Sequence, residues 1–220
     1  MKEWIPIANQ NIDWITGVLL VNLLLLAYVK RRYELQFFSF IRFIDTTTYI
    51  KSYSEKYGIF SGFISLSMLF SCLTISLFSL FFLSHYYAVD LSFTLFVYVI
   101  VGLLLTVLLR SYLILFLSNL LGAKNIIQSF QFRNCTYIFR LSIFLYICLV
   151  FYHYGWNQSL LLFQFMVWGG VLIYFTSQIL ILRQLFDAIN RAGVYFILYL
   201  CTLKMSPWIL LFNGIKQLYV

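Results

Sequence analysis

Apolar residues run through this chain in blocks too long and too uniform for one face of a soluble helix, and polar residues gather in the gaps between them. The blocks cover residues 14–29, 58–84, 91–113, 135–152, 160–182 and 194–212. A helix rises about 1.5 Å per residue, and about 20 apolar residues cross the hydrocarbon core of a bilayer. The pattern therefore predicts six membrane-spanning helices, or five plus a broken C-terminal hairpin, the third continuing as an interfacial piece to residue 121. The first block is slightly short and needs its flanks. Its cluster Lys30, Arg31 and Arg32 follows the apolar run instead of preceding it, which is not the layout of a secretory signal peptide. Residues 33–57 differ: Ser39, Arg42 and Asp45 recur three apart among Phe and Ile, a narrow polar stripe on an otherwise apolar helix. That stripe predicts an amphipathic helix in the membrane interface or tucked under the bundle. The expected fold is all-α, a polytopic transmembrane helical bundle forming a single integral membrane domain over residues 1–220.

Small residues add a packing signal. Gly58, Ser65, Cys72 and Ser79 recur every seven residues in the second block, with Gly62 and Ser76 on the same side. Such a seam lets helix backbones approach closely in lipid. Tight packing inside the bundle is the first expectation and a dimer seam the second. Gly169 and Gly170 in the fifth block predict another close approach, and Arg183, Asp187 and Arg191 at its end have the spacing of a charged ladder on one helix face.

Composition makes lipid the solvent for most of the chain: 63% of residues are hydrophobic and 10% charged, where soluble domains carry about 25% charged residues. The net charge of +8 is spread between blocks, with no polar domain to present a basic patch, so nucleic acid is not an expected partner. The basic residues instead report orientation. Lys30, Arg31, Arg32, Arg42, Lys51 and Lys56 follow the first block; Arg110, Lys124, Arg133 and Arg140 surround the third link; Arg183 and Arg191 precede the sixth block. The alternate loops, residues 84–90 and 153–159, hold no Lys or Arg and are aromatic. The positive-inside rule then places both termini outside the cytoplasm and the aromatic loops in an interface belt.

Candidate chemistry is sparse. The chain has no phosphate-loop, zincin or nucleophile-elbow motif, and none of its seven acids lies deep in a block, so no catalytic residue and no cofactor are expected. Cys72, Cys135, Cys148 and Cys201 show neither C-x-x-C pairing nor metal-ligand spacing and read as small hydrophobes. His85 and His153 end two blocks at similar depth; as a pair they are weak candidates for a metal or haem ligand set, and belt residues otherwise. In the last block, "YLCTLKMSPWIL", Lys204 falls about 15 Å from the start, near the bilayer midplane. Pro207 cannot donate to the carbonyl of Leu203, which leaves that oxygen beside Lys204. The three residues form either one structural device at a kink or, since intramembrane charge is a functional candidate, the lining of an internal cavity for an anion or headgroup. In the second reading Asn22, Gln164 and Thr176 are its expected companions.

The C-terminal stretch resembles the signature of an uncharacterised family of multi-pass inner-membrane proteins of Bacteroidota, known as a domain of unknown function. The resemblance covers most of the chain; its specific part is residues 196–210, with Tyr199, Leu200, Cys201, Thr202, Leu203 and Pro207 matching. Asp13, Trp14 and the leucine run after them also look like that family. The family pattern commonly has an acid where this chain has Lys204, which argues against a shared carboxylate mechanism. The resemblance implies a bacterial inner membrane and a role in envelope machinery of that phylum, such as type IX secretion or gliding. Together with the seam and the missing catalytic motifs, it makes a non-enzymatic accessory or scaffold subunit, with the lipid bilayer and other membrane proteins as partners, the first expectation. A small transporter or lipid- or anion-binding protein built on Lys204 is the second.

The orientation has a direct test. Single cysteines introduced in the loop of residues 84–90 should react with an impermeant maleimide from the periplasmic side of intact cells, and a cysteine at Lys124 only after permeabilisation; the reverse pattern sinks the assigned topology.

Overall fold

The computed structural model describes residues 13–41, 62–87, 91–120, 124–155 and 160–188, and every long segment among them is helical. The helices are α1 (Asp13–Arg32), α2 (Glu34–Ile41), α3 (Gly62–Tyr87), α4 (Phe93–Leu120), α5 (Lys124–Val150), extended by a π-helical turn (Phe151–Gly155), and α6 (Leu160–Ala188). Five stretches among the described residues are long and apolar enough to cross a membrane: Asp13–Arg32, Gly62–Tyr87, Phe93–Tyr112, Gln131–Gly155 and Leu160–Ile181. They correspond to the first five blocks of the sequence. The sixth block lies outside the described residues, as does most of the segment expected to form the interfacial helix; the part described is α2.

Local chemistry sets the helix ends. Asp13 lies in the first turn of α1 and Lys30, Arg31 and Arg32 in its last, so the charges oppose the helix dipole at both ends. Ser92 caps α4: its hydroxyl accepts from the Leu95 amide at 3.2 Å. Between α1 and α2 the chain bends at Tyr33, but the helical ladder continues through the bend. Tyr33 N–H donates to the Val29 carbonyl at 3.0 Å and Phe37 N–H to the Tyr33 carbonyl at 2.8 Å.

The helices fall into two classes by burial. Half of the α3 span and 56% of the α5 span are buried, against 22%, 11% and 17% for the spans in α1, α4 and α6. α3 and α5 are therefore the central pair; they pack most extensively on each other, with α1 and α4 against α3 and α6 against α5. The outer helices turn large apolar side chains outward, Tyr98, Leu161 and Trp168 among them, as a lipid-facing surface does.

Aromatic rings pin the central pair. Phe139 of α5 is fully buried and meets Phe37, Phe63 and Phe70 edge-on at centroid distances of 6.2, 6.5 and 5.6 Å. Pairs of this geometry contribute about 0.5–1.5 kcal/mol each beyond the area they cover. At the other end of the bundle Phe163 of α6 is fully buried between His85, at 4.6 Å, and Tyr152, at 5.8 Å. Trp14 packs on Phe93 and Phe96 of α4. These contacts place the start of α1 beside the start of α4, and its basic end, through Tyr33 and Phe63, beside the start of α3.

The close approaches are specific. A methyl group on Gly169 of α6 would lie 2.8 Å from Phe144 Cζ of α5, and one on Gly62 would lie 2.7 Å from the Tyr33 hydroxyl. Gly169→Ala is therefore expected to destabilise the detergent-solubilised protein by about 1–3 kcal/mol through overpacking. Phe144→Leu in the same chain should recover part of the loss, read as the unfolding midpoint in a denaturing-detergent titration; no recovery would mean that the strain lies elsewhere.

Candidate functional site

A hydroxyl in hydrocarbon must find an acceptor inside the protein, and α3 meets this requirement locally. Ser67, Ser71, Thr74, Ser76 and Ser79 donate to the carbonyls of Ile64, Ser67, Phe70, Leu73 and Ile75, at 2.8–2.9 Å. The hydroxyls are thereby satisfied, and the helix presents small side chains to its neighbours. Across to α1, Asn22 Nδ2 donates to the Thr74 hydroxyl at 2.8 Å, and from α5 the Tyr146 hydroxyl donates to the Leu19 carbonyl at 3.1 Å.

On the side of α3 away from Asn22, the small side chains leave a cavity of about 500 Å³ bounded by α3, α4, α5 and α6. That volume is in the range of small-molecule sites, about 300–1,000 Å³. Its lining runs from Met68 to Phe82 on α3 and from Gln131 to Leu145 on α5. At 1.5 Å per residue the slot extends about 21 Å along the bundle. Most of its length is apolar, with Phe78, Phe82, Leu103, Leu145, Val167 and Val171 among the walls.

One end is different. Arg110 and Ser111 of α4 face it together with Gln131 and Asn134 of α5. On α5 the lining residues Gln131, Asn134, Cys135 and Ile138 fall at i, i+3, i+4 and i+7, one helical face that changes from polar to apolar along the slot. At about 1.5 Å per residue, Arg110 lies about 26 Å along α4 from its start at Phe93, most of the way across a hydrocarbon core of about 30 Å. The polar end therefore sits where hydrocarbon gives way to headgroups, on the side of the bundle to which α1 brings Lys30, Arg31 and Arg32. Gln131 is 7% exposed and its Oε1 is buried with no hydrogen-bond partner. Among the described residues, the ionisable groups acting on Arg110 are a thiol and a phenol, Cys135 and Tyr174, with no carboxylate among them.

The residues singled out in the sequence are placed as follows. Lys204, Pro207 and Leu203 lie outside the described residues, as does Gly58. Of their expected companions, Asn22 is buried against Thr74, whereas Gln164 and Thr176 are exposed and Thr176 bonds to carbonyls of its own helix. The three do not converge. Along the α3 seam, Cys72 and Ser79 line the cavity, Ser76 is buried, Ser65 is exposed and Gly62 meets Tyr33. His85 lies against Phe163 and His153 against Tyr154; no group of three metal-ligating side chains occurs among the described residues. Cys72, Cys135 and Cys148 are free and buried. Arg110, read from the sequence as one of the basic residues around the third link, lines the cavity, and Gln131 and Asn134 were not singled out at all. The signal that finds them is the polar i, i+3 pair at the start of the α5 span.

Fold and cavity together define a polytopic α-helical integral membrane protein with an elongated intramembrane cavity, polar at one end. The chain belongs to the family described as a domain of unknown function, DUF4271, which it matches over residues 15–215. No curated protein and no solved structure matches it.

The orphaned amide has a measurable consequence. Replacing an unsatisfied buried polar group by an apolar one of similar shape removes its desolvation penalty, about 1–3 kcal/mol. Gln131→Met should therefore raise the melting temperature of the lipid-stripped protein in detergent, whereas Asn22→Ala, which takes the donor from Thr74, should lower it. A lower melting temperature for Gln131→Met would show that the amide is already satisfied.

Proposed function

We propose that this protein is a non-enzymatic integral membrane protein that binds an anionic membrane lipid in the cavity between α3, α4, α5 and α6. The observation that carries this reading is the Arg110 guanidinium at the mouth of a long apolar slot, about 26 Å along α4, with no carboxylate among the described residues that act on it. A guanidinium holds a phosphate through paired hydrogen bonds, and a slot of about 21 Å accepts an extended hydrocarbon chain more readily than a compact solute. The role assigned from the sequence to Lys204 is in this reading taken by Arg110. No reaction is proposed.

Service as an accessory subunit of an envelope complex is a second reading. What favours it is the outward stripe of α6, where Leu161, Phe165, Trp168, Leu172 and Phe175 are all exposed at helical spacing. A subunit of that kind keeps a stoichiometric protein companion through gentle detergent.

Native mass spectrometry of the protein released from its own membranes should show one retained lipid per chain. Arg110→Gln should reduce that retention about tenfold, and Ile138→Trp, which fills the slot, should abolish it. Wild-type protein that emerges without lipid, or Arg110→Gln that retains it fully, overturns the reading.

A further inference from the structure

The polar end of the cavity describes its ligand more closely than an anion alone, and this step rests on the lipid-binding reading above. A guanidinium has donors and no acceptor, and it calls for an acceptor-rich anion. The Gln131 amide oxygen is the opposite: a buried acceptor with no donor, on a side chain 7% exposed that lines the same end of the same slot. A phosphodiester by itself presents acceptors and answers only the first. Both are answered by a headgroup that carries a phosphate and, a few bonds away, a hydrogen-bond donor.

Two common headgroup chemistries have that donor, an ammonium and a hydroxyl, and charge decides between them. Among the described residues, no carboxylate acts on Arg110. A zwitterionic headgroup would bring a second cation into this end of the cavity and leave it uncompensated in a medium of low dielectric constant. A monoanionic headgroup with hydroxyls neutralises the guanidinium and adds no further charge. Ser111 of α4 and Asn134 of α5, at the same end, offer further partners to a polyol.

We infer that the cavity takes a monoanionic phospholipid with a hydroxylated headgroup, of the phosphatidylglycerol type, its phosphate at Arg110 and a headgroup hydroxyl donating to Gln131 Oε1. The acyl chain lies along the apolar slot toward Phe82 and Leu145. Gln131 is then a specificity residue: it selects among anionic lipids and does not supply the charge that attracts them.

The test compares two lipids of equal charge and identical chains, phosphatidylglycerol and phosphatidylmethanol, which lacks the headgroup hydroxyls. The full-length protein is stripped of lipid and offered each in turn, with phosphatidylethanolamine and inorganic phosphate as further probes, and retention is read by native mass spectrometry. The expected result is phosphatidylglycerol retained about fivefold better than phosphatidylmethanol, the discrimination of one hydrogen bond to a buried acceptor. Gln131→Met should bring the two lipids level with both still bound. Arg110→Gln should weaken both.

The primary comparison uses wild-type protein, so it does not depend on either variant folding. Equal retention of the two lipids overturns the hydroxyl assignment and leaves the lipid reading intact. Preference for phosphatidylethanolamine overturns the charge argument. Binding of inorganic phosphate with no lipid retained, or no binding of any probe, overturns the lipid reading itself.

Discussion

Hydrocarbon cannot hydrogen-bond, so each polar side chain in this bundle must be satisfied by protein or sit where water or headgroups reach it. The central helix α3 shows how this constraint shapes the whole. Five hydroxyls along it donate to carbonyls of their own helix. The polar atoms are thereby hidden, and what remains at the surface is a helix of small side chains. One face admits α1, tied through Asn22 to Thr74. Another leaves room that α4, α5 and α6 do not fill, and that room is the cavity.

The same constraint makes the cavity's polar end conspicuous. Many polar groups of the core are absorbed: Thr136 and Ser142 of α5 donate to carbonyls one turn back, and Tyr146 reaches across to α1, although Asn22 Oδ1 is left without a donor. At the end marked by Arg110 and Gln131 they are not. A cation on which no carboxylate of the described residues acts and an amide oxygen without a donor face the same space, on the side of the bundle where α1 carries its basic residues. A bundle selected only for packing would favour apolar residues at both positions, because unsatisfied buried polar groups destabilise it. Stability withheld where such groups face a cavity is a common mark of a binding site.

The expected features had different legibility. The first five spans were readable because block length, with the flanks added for the first, meets the bilayer's requirement; the helices run past the blocks, α5 beginning at Lys124, where the sequence turns polar, because a helix continues after it leaves hydrocarbon. The close contact at Gly169 was readable from residue size. The role of Arg110 was not. A basic residue near a span end normally turns outward to the headgroups, and only the arrangement of four helices turns this one onto a cavity. Gln131 and Asn134 were hidden for the same reason, since a polar residue at a span boundary has no stated direction in one dimension. Conversely, Asn22, Gln164 and Thr176 could be imagined around one charge because a linear sequence leaves rotation free, and the structure points them to different surroundings.

The sequence by itself determined the solvent and the helices of the first five blocks, because hydropathy acts residue by residue and needs no knowledge of neighbours. Only the tertiary structure decided which helices form the centre, which polar groups satisfy one another and which are left to meet a ligand. Those properties belong to pairs and clusters of side chains on different helices. They are set by how each helix is rotated about its own axis when close packing of small residues and aromatic rings brings it against the next.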